Sequence, residues 1–249
     1  GSRRVAEIPG TTTALLFGGY GESFARHDEL YRLDFAGGEA VFTQLTHVNP
    51  PPARALHGFV YDAVHERFVT FYGCGSGIFD DVWTMTLDGD TASWTQHEIS
   101  GPSPRYGFFY GVHDGRVLLF SGAQGSGQVD PAEDTWVLDL SGDVPAWQAL
   151  AIESPPGRRN GCAVMDSDAP RLWVFGGTPD AMTSAPGLWV LDAEPGHESW
   201  QQLQLAGEPP VRSSGFGIYD HVRQRTWLGF GNTTMAVFQE FQQLTHVAP

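Results

Sequence analysis

Leu172-Trp173-Val174-Phe175-Gly176-Gly177, then Gly187-Leu188-Trp189-Val190-Leu191-Asp192, then Trp200, then Pro209-Pro210-Val211-Arg212, is the passage that decides the fold. Each apolar run has strand length and is rich in β-branched and aromatic residues, and a glycine pair or an aspartate ends it. The proline-arginine segment reads as a turn, because proline presets φ and cannot join a central ladder. The passage therefore reads as short antiparallel strands joined by turns.

The same order recurs along the chain. Strands ending in glycine are Leu15-Leu16-Phe17-Gly18-Gly19, Thr70-Phe71-Tyr72-Gly73 with Gly75, Leu118-Leu119-Phe120-Ser121-Gly122, and Leu228-Gly229-Phe230-Gly231. Taking Gly19, Gly75, Gly122, Gly177 and Gly231 as the stops, the spacings are 56, 47, 55 and 54 residues, a period that signals an array of repeated supersecondary units. Aromatic anchors follow at Tyr31, Trp83, Trp136 and Trp189, closing aspartates at Asp34, Asp88, Asp139 and Asp192, and further aromatics at Phe42, Trp94, Trp147 and Trp200. Turns at Pro51 to Arg54, Pro102 to Arg105, Pro155 to Arg158 and Pro209 to Arg212 open the next units.

Glycine doublet, downstream tryptophan and proline-arginine turn at this period resemble the kelch repeat over essentially the whole chain. The expectation is an all-β single domain over residues 1–249, a β-propeller of about five four-stranded blades spanning 3–50, 51–101, 102–154, 155–208 and 209–249. The resemblance implies that the strand after each arginine turn is innermost and that the aromatic anchors fill the space between blades. The chain begins and ends at nearly the same phase, Gln243 to Pro249 repeating Gln44 to Pro50 with one change. That phase suits a closed ring in which the ends meet, and equally a piece of a longer array.

Composition narrows the function. The 249 residues carry a net charge of −15, 31 glycines and 17 prolines, and all 14 cationic side chains other than histidine are arginine. A net negative field without a basic run argues against nucleic acid and anionic membrane. The missing lysine excludes Schiff-base chemistry and a P-loop. Cys74 and Cys162 sit at non-equivalent places, so no disulfide or metal site is expected from them. No run approaches a membrane span, and no charged-then-apolar leader opens the chain, which reads as a soluble monomer. Gly1-Ser2 reads as a cloning remnant, which leaves the compartment open.

Topology places a candidate site without a motif. Loops after the glycines share a face with the arginine turns: Tyr20 to His27, Gly75 to Phe79, Ala123 to Ala132, Thr178 to Pro186 and Asn232 to Thr234. Binding resides in such unequal loops on a rigid scaffold. The ligand site is expected there, centred on Arg54, His57, Arg105, Tyr106, Arg158, Asn160 and Arg212, where arginines would attract an anionic group by bidentate hydrogen bonding. The competing reading is that arginines repeated in register brace the fold by pairing with acids such as Asp81 or Asp134. Asp62, Asp114, Asp166 and Asp220 at the far hairpins read as turn caps.

The expected function is a non-catalytic module presenting these loops to a protein, peptide, glycan or small anionic ligand, with no catalytic residue, cofactor or metal assigned. The kelch resemblance also implies an alternative, an enzyme with its site at the channel mouth, because the family includes copper oxidases and sugar mutarotases. A copper site would need a tyrosine-cysteine-histidine cluster, for which Cys74, Tyr72, Tyr106 and His57 are the candidates.

Overall fold

The computed structural model describes residues 3–125, 131–166, 168–180, 183–204, 210–229, 231–232 and 241–245. Among them the chain is all-β, with 19 strands in sheets of eight, four, four and three and a single three-residue turn of 3-10 type at Glu22–Phe24. It divides into two compact units, one of Gly1–Tyr106 with Asp139–Trp147, the other of Gly107–Leu138 with Gln148–Pro249.

In the first unit, β1 (Arg4–Glu7), β2 (Thr13–Phe17), β3 (Leu30–Ala36) and β4 (Glu39–Val48) form one antiparallel meander. A second is formed by β5 (Gly58–Asp62), β6 (Arg67–Cys74), β7 (Ile78–Asp88) and β8 (Thr91–His97). The two join through a short parallel pairing of Thr46–Val48 with Thr91–Ser93. All eight residues of β6 are buried, and Leu15, Phe17, Phe59, Phe68, Met85 and Trp94 form the core around it.

A further sheet holds β9 (Phe109–His113), β10 (Arg116–Phe120), β11 (Thr135–Asp139) and β12 (Ala146–Ala149). In the second unit, β13 (Cys162–Asp166) to β16 (Ser199–Leu203) form a meander through β14 (Arg171–Phe175) and β15 (Leu188–Asp192). The last sheet is β17 (Phe216–Asp220), β18 (Arg225–Gly229) and β19 (Phe241–Thr245). Sequence had placed Gln243 in phase with Gln44 of β4, a fourth strand. In the structure Gln243 pairs with Trp227 as part of a third strand. Val237 and Phe238, which a closed ring would need to cover, lie outside the described residues.

The glycine pairs have a steric cause. Gly18 and Gly19 adopt φ of 61° and 97°, and a Cβ on Gly18 would lie 2.7 Å from the Arg54 carbonyl. In the second and third repeats the first position is Tyr72 (φ 58°) and Ser121 (φ 60°), so these side chains are held in the left-handed region. This corrects the second stop: Gly73, not Gly75, is the equivalent of Gly19. Its N–H donates to the Arg105 carbonyl at 3.0 Å, as Gly19 does to Arg54 at 2.8 Å, Gly122 to Arg158 at 3.1 Å and Gly177 to Arg212 at 2.9 Å. In the first four repeats one backbone bond thus ties the glycine stop to the next arginine turn.

The aromatics of the outer strands pack on the preceding repeat. Trp94 lies 4.9 Å from Phe17, Trp147 5.9 Å from Phe71 and Trp200 4.8 Å from Phe120 between ring centroids. Phe42, the same position in the first repeat, is 60% exposed.

Candidate functional site

Each arginine of the expected site first serves its own turn. The Nε–H of Arg54, Arg105, Arg158 and Arg212 donates to the carbonyl two residues earlier, Pro52, Ser103, Pro156 and Pro210, at 3.0 to 3.1 Å. All four side chains are buried. Arg54 is 0% exposed, and its two terminal nitrogens each donate to one oxygen of Asp81 at 2.7 Å. The acid comes from the third strand of the same repeat rather than from an adjacent one. Phe79 covers Arg54 with its ring 4.6 Å from the guanidinium carbon, and so is half-buried rather than a displayed loop aromatic. A ligand would meet Arg54 only after displacing Asp81.

The three residues chosen because they break the repeat occupy three different registers. Tyr106 follows its arginine directly, Asn160 lies two residues after Arg158, and His57 lies three after Arg54. The second register is left-handed in every turn, at Leu56, Gly107, Asn160 and Ser214, with φ from 54° to 65°. Asn160 N–H donates to Gly107 O at 2.7 Å and Ser214 N–H to Asn160 O at 2.6 Å. Within the second unit this leaves the Asn160 Oδ1 as a buried acceptor without a donor among the described residues.

His57 is fully buried beside Phe17 (5.4 Å, edge to face), and neither ring nitrogen has a partner among the described residues. Burial, with Arg4 and Arg54 nearby, holds its pKa well below the usual histidine value, so the ring is neutral. The residues named for a copper cluster do not converge. Tyr72 Oη donates to Pro102 O at 2.6 Å, while Cys74 Sγ lies 3.5 Å from Tyr20 Oη. Among the described residues, no group of three or more His, Cys, Asp or Glu is placed to hold a metal ion.

In the first unit, the loop from Tyr20 to His27 stands above these turns. It closes on itself through Gly21 N–H to Ala25 O (2.8 Å) and a bridge between Tyr20 and Arg26. Ser23 and Phe24 both adopt positive φ, 52° and 60°, and Phe24 is 75% exposed. Tyr20 packs edge-on to Phe24 at 5.9 Å, and the Arg26 guanidinium sits 5.3 Å over the Tyr20 ring. Burial and the Cys74 thiol push the Tyr20 phenol up to about 12, so it stays neutral. Two consecutive non-glycine residues in the left-handed region carry backbone strain that the closed loop maintains. In the second unit, residues 126–130, 181–182 and 233–234 of the expected loops lie outside the described residues.

At the hairpins between the first and second strands of the repeats, Asp62 accepts from the N–H groups of Val64 (3.0 Å) and His65, Asp166 from Asp168 (2.9 Å) and Asp220 from Arg223 (3.1 Å). Asp114 belongs elsewhere. Strand register makes His113 the equivalent of Asp62, opposite Arg116 as Asp62 is opposite Arg67, and Asp114-Gly115 is a tight turn with φ of 45° and 72°. The sequence reading also missed an arginine opening the second strand of repeats two to five, Arg67, Arg116, Arg171 and Arg225, where the first repeat has Thr13. Three of the four lie five residues after the hairpin aspartate, a spacing visible in the chain. Arg67 donates to Asp62 at 2.9 Å, whereas Arg116, facing a histidine, reaches Glu198 at 2.6 Å. A cavity of about 240 Å³ opens beside Arg116, lined by His113, Asp114, Leu118 and Glu194.

Meanders tied glycine to arginine, with a tryptophan on the last strand of the second, third and fourth repeats, define a kelch-type repeat protein. A family model described as the KLHDC2/KLHL20/DRC7 Kelch-repeats domain matches residues 6–229, and the chain belongs to this family. It is 27% identical over 212 residues to putative adagio-like protein 2 of Oryza sativa subsp. japonica, covering 79% of this chain and 33% of that protein. It is 36% identical over 143 residues to the flagellar outer-arm dynein alpha chain of Chlamydomonas reinhardtii, covering 55% of this chain and 3% of that one. The chain thus spans about a third of the adagio-like relative and a small part of the dynein. Among solved structures, that of YjhT matches with a TM-score of 0.72 at 17% identity, covering 92% of this chain and 71% of that one, which shows a shared fold. Among the described residues no helix is long and apolar enough to cross a membrane.

Proposed function

We propose that this chain is a non-catalytic interaction module of five kelch repeats that meets a protein or peptide partner through the loops beside its arginine turns. The observation that carries the reading is Phe24, three-quarters exposed on two left-handed residues and backed by Tyr20 and Arg26. An exposed aromatic on a braced loop has the character of an interface anchor, since it buries a large area at low entropic cost. Arg26 adds a guanidinium donor on a chain of net charge −15, so the partner is expected to bring a carboxylate next to an apolar side chain. In this reading Arg54, His57, Arg105 and Tyr106 in the first unit, and Arg158, Asn160 and Arg212 in the second, chiefly hold the loops in place.

Peptides selected from a displayed library against the whole chain test it. Phe24→Ala should weaken them by about thirtyfold, the effect of losing a hot-spot residue of about 2 kcal/mol, with an unchanged melting temperature because Phe24 is exposed. Selected peptides that bind Phe24→Ala as tightly as the parent would remove the loop from the site. A glycan array probed with the same two proteins shows whether the loop recognises sugars instead.

A further inference from the structure

The second repeat contains a three-member arrangement that the fourth lacks. Asp81 takes one hydrogen bond from each terminal nitrogen of Arg54 and a third, at 2.7 Å, from Trp83 Nε1–H two residues on. In the third repeat Trp136 Nε1–H donates in the same way to Asp134 at 2.8 Å. The carboxylate therefore belongs two residues before the tryptophan. In the fourth repeat that position is Gly187, before Trp189.

The partners of the missing carboxylate remain in place. Arg158 is 3% exposed, and its guanidinium bonds are to two carbonyls, Pro156 at 3.1 Å and Pro186 at 3.3 Å, with no carboxylate among the described residues paired to it. Burial alone lowers its pKa to about 10, as expected of a cation without a counter-charge. Trp189 Nε1 is buried with no acceptor among the described residues. A Cβ at Gly187 would lie 3.4 Å from Trp189 Nε1 and 2.7 Å from the Nε2 of Gln202, which pairs with Trp189 across β15 and β16. A side chain leaving position 187 would thus meet two N–H donors, the nearer being the Gln202 amide, which takes up part of that space; Gln202 is an exposed, flexible side chain, so its amide can turn aside and open a gap to solvent.

We propose that this gap binds a compact monovalent anion, a halide or a carboxylate, held by Arg158, Trp189 Nε1–H and the Gln202 amide in the place that an aspartate fills in the second repeat. A buried cation without a partner is costly, and an anion accepting from it and from an indole N–H supplies what the chain does not. Loss of the aspartate converts a fixed brace into an exchangeable one. The proposal is independent of the Phe24 loop.

Melting the whole chain at constant ionic strength in sodium bromide, sodium acetate or the bulky sulfonate MES tests it, together with bromide anomalous scattering from a crystal. Bromide, acetate or both should raise the melting temperature saturably over MES, acetate alone marking a carboxylate site and bromide a halide site. Trp189→Phe, which keeps the ring and removes the donor, should shift the midpoint of that rise about tenfold to higher concentration. Equal melting in the three salts, or an unchanged midpoint in Trp189→Phe, overturns the proposal. If Trp189→Phe does not fold, the crystal decides: a bromide peak beside Arg158 and Trp189 supports the site, and peaks only elsewhere reject it.

Discussion

Arg54 and Arg158 occupy the same turn position and bond the same carbonyl two residues back, yet the first pairs with Asp81 while the second, whose repeat has Gly187 in place of that aspartate, bonds the Pro186 carbonyl. A residue's role in a repeat is set by what the third strand places opposite it. His57 makes the same point. Equivalent positions hold Phe108, Gly161 and Gly215, so nothing in the repeat requires a titratable group there. Its folded pKa lies well below the value near 6.5 of the unfolded chain, so the native state binds fewer protons as pH falls. The stability associated with neutral His57 is complete above about pH 6.5 and is lost below it, by up to about 1.4 kcal/mol per pH unit. Urea midpoints from pH 7.5 to 5 should fall steeply for the parent and less steeply for His57→Leu. An identical slope in the two proteins would show that His57 is not the group responsible.

At the scale of the element, the first strand of a repeat and the neighbouring arginine turn are joined by hydrogen bonds. β1 is only four residues long, but it pairs along β2, buries Ala6 against Leu15 and Phe17, and carries Arg4, whose Nε–H donates to the His57 carbonyl at 2.8 Å. Without it β2 becomes an edge with unpaired backbone groups, and part of the core meets water. Removing Arg4 to Ile8 should lower stability by roughly 3 kcal/mol or more, from lost ladder bonds and apolar burial. A denaturation midpoint equal to that of the intact chain would mean that β1 is dispensable. The turns show why repeats tolerate variation. The left-handed register after each arginine is filled by leucine, glycine, asparagine or serine, because the backbone bonds across repeats hold the conformation whichever side chain is present.

Over the whole molecule the dominant quantity is charge. A net charge of −15 with no lysine gives a field that repels polyanions at every salt concentration, more strongly when screening is weak. Fluorescence anisotropy with a labelled DNA duplex should show no binding at protein concentrations up to about 100 µM even at low salt, where non-specific binders are already saturated. Saturable binding would reveal a basic surface that composition conceals.

Strand length, alternation, glycine stops and proline-arginine turns were legible in the chain because they are local and recur, the stops five times and the turns four, so one ambiguous copy is corrected by the others. The second glycine stop was misplaced because Tyr72, a bulky residue, sits where sequence rules expect glycine, and its positive φ is imposed by contacts distant in the chain. Asp114 was grouped with the hairpin caps because counting residues cannot see that its hairpin is two residues shorter than its neighbours. The arginine turns were visible, but their partners were not. Pairing Arg54 with Asp81, stacking Phe79 over it, and leaving Arg158 with two carbonyls and no acid depend on which strands the fold sets side by side. Periodicity along the chain therefore determines the repeat, while the chemistry available at each copy follows from neighbours that only three-dimensional packing brings within hydrogen-bonding distance.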